Sequence, residues 1–192
     1  MPRATAAAAA LTAAQVLDAA TDAFAERGFP AVSLDDVAQS AGVTRGAIYH
    51  HFSNKAGLFG AVAARLQAEV ASAVVASAER AGGDPAVQLR AGCHAFLDAI
   101  TAAPARRLLL VDAPAVMGWT QWRQLDAKSS GVHLREALAD AGVEIDRLEA
   151  TAALLSGAMN EAALWIAEQP SVDGPREQAH DVLDRLIDAQ LR

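Results

Sequence analysis

Thr44, Arg45, Tyr49, His50 and Lys55 lie within one short stretch of this chain. Together they offer a hydroxyl, a forked guanidinium, a phenol, an imidazole and an ammonium. That set is suited to hydrogen bonding with phosphates and base edges. An arginine fork matches guanine O6 and N7. Tyr49, His50 and Lys55 can bond phosphate oxygens, contacts that fix register without reading sequence. Gly46 lets a backbone approach closely, at a cost in helix stability. No Asp or Glu occurs from Val37 through Ala68, so the stretch carries no repelling carboxylate of its own.

Two short helices joined by a tight turn must position these groups. Ser33 is a good N-cap, and Asp36 sits where an acid reaches back to a free backbone N–H. Leu34, Val37, Ala38 and Ala41 follow at spacings of three and four, one buried stripe. Gly42 suits a left-handed helix end, and Val43 plugs the turn. Thr44 caps a second helix, Arg45–Phe52, with Ile48 and Phe52 inward. Asn54 caps a third, with Lys55 in its first turn. A second helix laid in the major groove presents its N-terminal residues to bases. An ordinary helical hairpin with a polar surface has the same spacing, and the residues alone leave both readings open.

The run AGVTRGAIYHHFSNKAGLF, together with AFAERGFPAVSLDDVA upstream, resembles the DNA-binding signature of the tetracycline-repressor (TetR) family. The resemblance is close over roughly the first 60 residues and extends to the remainder only in layout. It implies an all-α fold of two lobes: a helix-turn-helix domain at 11–71 and a helical ligand-binding and dimerisation domain at 72–192. It implies a DNA-contacting set of Ser33, Thr44, Arg45, Gly46, Tyr49, His50, His51 and Lys55. It also implies double-stranded operator DNA, a small-molecule effector and a second copy of the chain as partners. The expected activity is that of a repressor released from its operator by the effector. A regulator without an effector, and a helical carrier or enzyme that has lost DNA binding, are the alternatives.

Composition agrees with a helical protein. The chain has 192 residues, 53% hydrophobic and 20% charged, enough for a core. Alanine richness favours helices, and no sustained Val/Ile/Thr alternation signals a strand. The net charge of −7 argues against a general nucleic-acid coat. Even residues 1–53 carry more carboxylates than arginines, so the head's acids are expected to turn away from DNA. One cysteine, Cys93, excludes an internal disulfide. The Ala-rich stretch at 1–10 is read as a frayed arm, with helix as the alternative, and is too weakly hydrophobic for a signal segment; no membrane-spanning run is read, so a cytoplasmic location is expected. No cofactor or metal site is expected: nucleophile-elbow, phosphate-loop, dinucleotide and zinc motifs are all missing. Asp112 and Glu161 are the carboxylates embedded in the most apolar stretches, and a capped or solvated position is expected for each, with a pocket charge as the alternative.

Along the chain, Thr12 is read as the cap of a first helix ending at Arg27. A long helix from Asn54 toward Gly82-Gly83 joins the head to the body, weakened only at Gly57 and Gly60. Helices are expected at 85–103 and 106–113, then a segment from Pro114 and a short helix at 133–141. His94, Phe96, Met117, Trp119, Trp122 and Trp165 are the candidate ligand-pocket residues, with plain core packing as the alternative. Two helices close the chain. Leu148, Ala152, Leu155, Met159, Ala162 and Ile166 form a three-four seam in the first, and Leu183, Leu186 and Ile187 line the second (about 176–191). Both stripes are read as the dimer interface, with intramolecular core as the alternative.

Overall fold

The computed structural model describes residues 2–191, with side chains from residue 8 onward. Among these residues the structure is helical with no strand. Its elements are α1 (Pro2–Arg27), α2 (Leu34–Ala41), α3 (Arg45–Phe52), α4 (Lys55–Arg80) and α5 (Pro85–Thr101). They continue with α6 (Ala105–Arg107), a π-helical turn (Leu108–Asp112), α7 (Ala113–Met117), α8 (Trp119–Asp140), α9 (Ile145–Glu168) and α10 (Asp173–Gln190).

The first helix starts ten residues ahead of the expected cap. Alanine propagates a helix at least entropic cost, so Thr12 lies inside α1. Its hydroxyl donates back to the Ala8 carbonyl at 3.0 Å and caps nothing. Met1 lies outside the described residues. The packing of α1 against α2–α4 rests on Val16, Phe24, Val37, Ile48 and Leu58, all fully enclosed. Each such side chain contributes roughly 1.5–3 kcal/mol by leaving water. The rings of Phe24, Phe29 and Phe59 meet at centroid distances of 5.8, 5.3 and 5.2 Å and lock the α1–α2 loop onto α4.

The connector is as expected: Asn54 caps α4 through the Gly57 N–H, and α4 runs to Arg80. By length and composition alone α4 qualifies as a membrane span, contrary to the expectation that no such run exists. Its apolar stripe is occupied by protein, with Leu58, Val62, Leu66 and Val70 enclosed and α5 its main neighbour. Its hydropathy is therefore that of a core helix.

The body departs from expectation in two places. The 106–113 helix is one piece of a longer helical path in which Leu108–Asp112 widen into a π turn. The segment after Gly118 is a single helix through Ser129, Ser130 and Gly131, where a break was expected. Ser130 is enclosed there, and tertiary packing of that face overrides weak local propensity.

The terminal seam is also corrected. Leu148, Leu155, Met159 and Ile166 of α9, with Leu183 and Ile187 of α10, are all enclosed within the subunit. They close its own core. Of the expected interface set, Ala152 and Ala162 are half-buried and Leu186 is exposed. The outward apolar face is rotated from the expected one. It carries Leu154 (75% exposed) and Trp165 (40%) on α9, with Val182 and Leu186 on α10. An apolar groove of about 310 Å³ lies between the two helices beside Trp165 and Val182, with Leu97 of α5 also on its wall.

Candidate nucleic-acid interface and body cavity

The turn between α2 and α3 is built as its residue types dictate. Ser33 Oγ accepts from the Asp36 N–H at 3.1 Å, and the Asp36 carboxylate accepts from the Ser33 N–H at 3.0 Å. Those bonds, and secondarily Arg27, hold the Asp36 carboxyl below its ordinary range. At the far end Gly42 has φ 66°, ψ 28°. The Val43 N–H donates to the Ala38 carbonyl at 3.0 Å and the Gly42 N–H to that of Gln39 at 3.3 Å, the paired bonds of a Schellman end. Thr44 then restarts the chain as a helix, its hydroxyl accepting from the Ala47 N–H at 3.2 Å.

With Ile48 enclosed and Phe52 half-buried, α3 turns Arg45, Gly46, Tyr49 and His50 to the outside. His51 is half-buried, its ring edge-on to that of His50 at 5.2 Å. Gly46 has no atom of the subunit closer than 3.8 Å to the position a Cβ would take. The fold does not require that glycine, and it costs α3 about 1 kcal/mol relative to alanine.

Arg45 does not project freely. Its Nη1 bonds Asp35 Oδ2 at 2.8 Å and its Nη2 donates to Tyr49 Oη at 3.1 Å. Tyr49 first, then Asp35, raises the guanidinium's pKa further. This corrects the expectation that the head's acids all turn away. Asp18 pairs with Arg65 at 2.6 Å and Asp36 with Arg27 at 3.3 Å, but Asp35 sits beside α3, paired with Arg45. An exposed pair of that kind is weakly held, so a base edge can exchange for it. Lys55 also folds back, its Nζ 3.2 Å from the Pro30 carbonyl and 4.4 Å from the Phe29 ring centroid.

The junction from α3 to α4 is strained. Ser53 has φ 65°, ψ −44°, and the Asn54 N–H closes on the Phe52 carbonyl at 2.7 Å. That is a γ-turn of the rare positive-φ kind, costing on the order of 1–3 kcal/mol for a residue with a Cβ. A Cβ on Gly57 would fall 2.2 Å from the same carbonyl oxygen, so only glycine fits there.

Two arginines brace the head from outside its own turn. Arg65 of α4 donates to Thr21 of α1 at 2.8 Å as well as pairing with Asp18. Arg107 reaches the last turn of α1, where its Nη1 donates to the carbonyls of Ala25 (3.0 Å) and Glu26 (3.2 Å). Free carbonyls at a helix C-terminus carry partial negative charge, which a guanidinium satisfies. The same guanidinium occupies the space a Cβ on Gly28 would need.

The body holds a cavity of about 270 Å³ between α4, α5, α8 and α9. Val74, Leu89, Phe96 and Met159 form apolar wall, and Asp126 and Ser130 lie on it. Asp126 is 2% exposed. Its Oδ2 accepts from Asn160 Nδ2 at 3.0 Å and from Arg123 at 3.3 Å. Its Oδ1 has no partner among the described residues, nor has Ser130 Oγ. Burial pushes the Asp126 carboxyl up, against the opposing pull of Asn160 and Arg123.

Of the six expected pocket residues, only Phe96 lines this cavity. His94 instead stacks on His180, centroids 4.1 Å apart, with its Nε2 2.8 Å from Asp184 of α10. Trp122 is wholly enclosed one helical turn before Asp126, and Trp119 is exposed against it at 4.8 Å. Met117 packs half-buried on the core, and Trp165 belongs to the α9–α10 groove. The carboxylates set in the most apolar stretches take the capped or solvated positions expected of them, and the buried carboxylate among the described residues is a different one. Glu161 is exposed, Asp112 is partly covered and 3.7 Å from Arg107, and Asp126 is the enclosed one. Sequence reading missed Asp126 and Ser130, although Trp122, Asp126, Ser130, Leu134 and Leu138 repeat every fourth residue along one helix face.

Comparison with known proteins decides the family. Residues 86–190 match the model described as "Tetracyclin repressor-like, C-terminal domain", and residues 16–62 match "Bacterial regulatory proteins, tetR family". The chain belongs to the TetR family of helix-turn-helix transcriptional regulators. A solved TetR-family regulator from Pectobacterium atrosepticum is 31% identical, with a TM-score of 0.78 over 96% of each chain. The regulator AcrR of Shigella flexneri is 34% identical over 95 residues, 50% of this chain and 44% of AcrR. TtgR of Pseudomonas putida is 57% identical over 47 residues, 24% of this chain and 22% of TtgR. The chain thus matches less than half the length of either curated TetR relative. The reading as a regulator and not an enzyme agrees with these matches.

Proposed function

We propose that this TetR-family protein is a sequence-specific repressor that binds operator DNA as a homodimer and leaves it when a small molecule fills the body cavity. The observation that carries the reading is the course of α4. Its first turn anchors the reading helix, and near its end Val74, Val75, Ala78 and Glu79 form one cavity wall. Anything that spreads that wall acts on the helix that aims the head. Arg45, Gly46, Tyr49 and His50 are the groups offered to DNA, Arg45 to a base edge and the others to backbone. Ser33 and Thr44 serve as helix caps at the same surface.

The second copy fits against the outward α9–α10 face at Leu154, Trp165, Val182 and Leu186. Two heads so joined read half-sites about 34–36 Å apart. A ligand releases DNA only by preferring a conformation in which that spacing is wrong. Reciprocity then requires operator DNA to weaken ligand binding by the same factor, typically about 5–150-fold. The test is a mobility-shift titration on DNA flanking the protein's own gene, with and without a ligand found by screening. Failure to prefer any flanking fragment over random DNA would overturn operator binding. Equal ligand affinity for free and DNA-bound protein would overturn induction.

A further inference from the structure

The cavity's chemistry is one-sided. Four of the residues on it are carboxylates: Glu79, Asp126, Glu136 and Asp140. Among the described residues no lysine or arginine lines it, and the one imidazole on it, His133, lies 3.6 Å from Glu136. Solvated rim acids are common and mean little by themselves. The enclosed Asp126 is different, because one of its oxygens has no partner among the described residues and Ser130 Oγ, one helical turn on, has none either. Leaving such groups unmatched in a low-dielectric site is costly. Arg123 compensates only the other oxygen of Asp126, and Arg123 does not reach the cavity. The remaining wall is mostly hydrocarbon with the Phe96 ring, and its other polar side chains, Gln88, Cys93 and Ser156, carry no charge.

We propose that the cavity is selective for compact lipophilic cations. A protonated amine donates to Asp126 Oδ1 and Ser130 Oγ, and an apolar ring system packs between Val74, Leu89, Phe96 and Met159. This rests on reading the cavity as the effector site and names the class of effector. At the packing density of protein interiors, about 0.74, the space holds a molecule of about 200 Å³, the size of a substituted bicyclic ring. Charge-assisted hydrogen bonds in a water-poor site are roughly twice as strong as neutral ones, so the ammonium contributes more than a hydroxyl in the same place. An anionic ligand would meet four carboxylates and no basic side chain.

The test uses the full-length protein and two matched probes, 2-naphthylmethylamine (an ammonium at neutral pH) and 2-naphthylmethanol. Binding is followed by calorimetry and by tryptophan fluorescence. The amine is expected to bind at least about tenfold more tightly than the alcohol. Asp126→Asn keeps the shape and should erase that preference, bringing the amine's affinity down to the alcohol's or below. Glu136→Gln on the rim, which disturbs no core packing, should weaken the amine alone by about twofold, an effect that added salt reproduces. Equal or tighter binding of the alcohol overturns the cationic class while leaving a neutral effector possible. Binding of neither probe below about 1 mM overturns the site itself. A mobility-shift assay with bound amine reads the other layer. Amine binding without operator release sustains the cation site and overturns its role as effector.

Discussion

Gly57 and Gly60 lie on the same helix, three residues apart, and should respond to alanine with opposite sign. At Gly60 no atom lies within 4 Å of a new Cβ. Gly60→Ala should stabilise by about 0.4–1 kcal/mol through lost backbone freedom in the unfolded chain. At Gly57 the Cβ would stand 2.2 Å from the Phe52 carbonyl oxygen, and that oxygen is backbone, already tied into the Ser53 γ-turn. Relief requires the start of α4 to draw away from the end of α3. Such overpacking costs about 1–3 kcal/mol. It also disturbs the bond from the Gly57 N–H to Asn54 Oδ1, now 2.8 Å, a cap contributing about 1 kcal/mol. Against a propensity gain of up to about 1 kcal/mol, the net loss is about 1–3 kcal/mol. For a chain of this size that lowers Tm by roughly 2–12 °C. The shift also reorients the reading helix, so operator affinity should fall further than the lost stability explains. The assays are thermal unfolding of both variants and an operator titration at a temperature where each is fully folded. Gly57→Ala as stable as the parent, with unchanged operator affinity, would refute the claim that this turn sets the angle of the head.

The outward face makes a paired prediction. Trp165→Glu should give folded monomers by analytical ultracentrifugation, whereas Leu155→Glu buries a charge in the subunit core and should unfold it, by several kcal/mol. At the reading helix, Arg45→Ala should relax base preference at one symmetric operator position, and Asp35→Asn, by freeing Arg45, should tighten operator binding in low salt; unchanged site selection by Arg45→Ala would remove it from base reading. The histidine pair makes α10 docking sensitive to acid. Burial first, then His94, lowers the His180 pKa, with Asp98 opposing and Arg176 adding to the fall. The unfolded chain therefore binds the extra proton more readily. The associated stability is present above about pH 6.5 and is lost as pH falls through the folded value. Urea melts at pH 7.5 and 5.5 should show that loss, and His180→Gln should reduce it.

Local signals carried the head. Ser33, Asp36, Gly42, Thr44 and Asn54 each act within four residues of themselves, so their spacing alone specified both helices and the turn. The body was legible as helices but not as faces. On α9 the seam from Leu148 to Ile166 was read correctly as a packing stripe. A stripe does not say whether its partner is the same chain or another, and here α5 and α8 supply it. Large rings line many ligand sites, which makes the tryptophans the natural pocket candidates in the sequence, but Trp122 fills core volume and Trp119 covers it. The polar groups that distinguish the cavity, Asp126 and Ser130, look ordinary in a segment as polar as WTQWRQLDAKSSG. Only the four-residue repeat with Trp122 and Leu134 marks them as inward.

Arg107 gives the head a second point of attachment. A lobe joined through one helix alone swivels about that joint like a ball in a socket. Here the end of α1 is tethered to the stretch just ahead of the π turn, some eighty residues away along the chain. Two anchors remove that free rotation and leave a strut. The head can then be turned only when α4 and the 105–112 segment move together, or when the Arg107 tether is let go. Such a linkage transmits torque and resists idle wobble, so thermal rattling of the body alone does not shake the reading helix off its bearing. It also restricts what can stand at position 28. Any side chain there would sit in left-handed backbone and push the tether out of its seat.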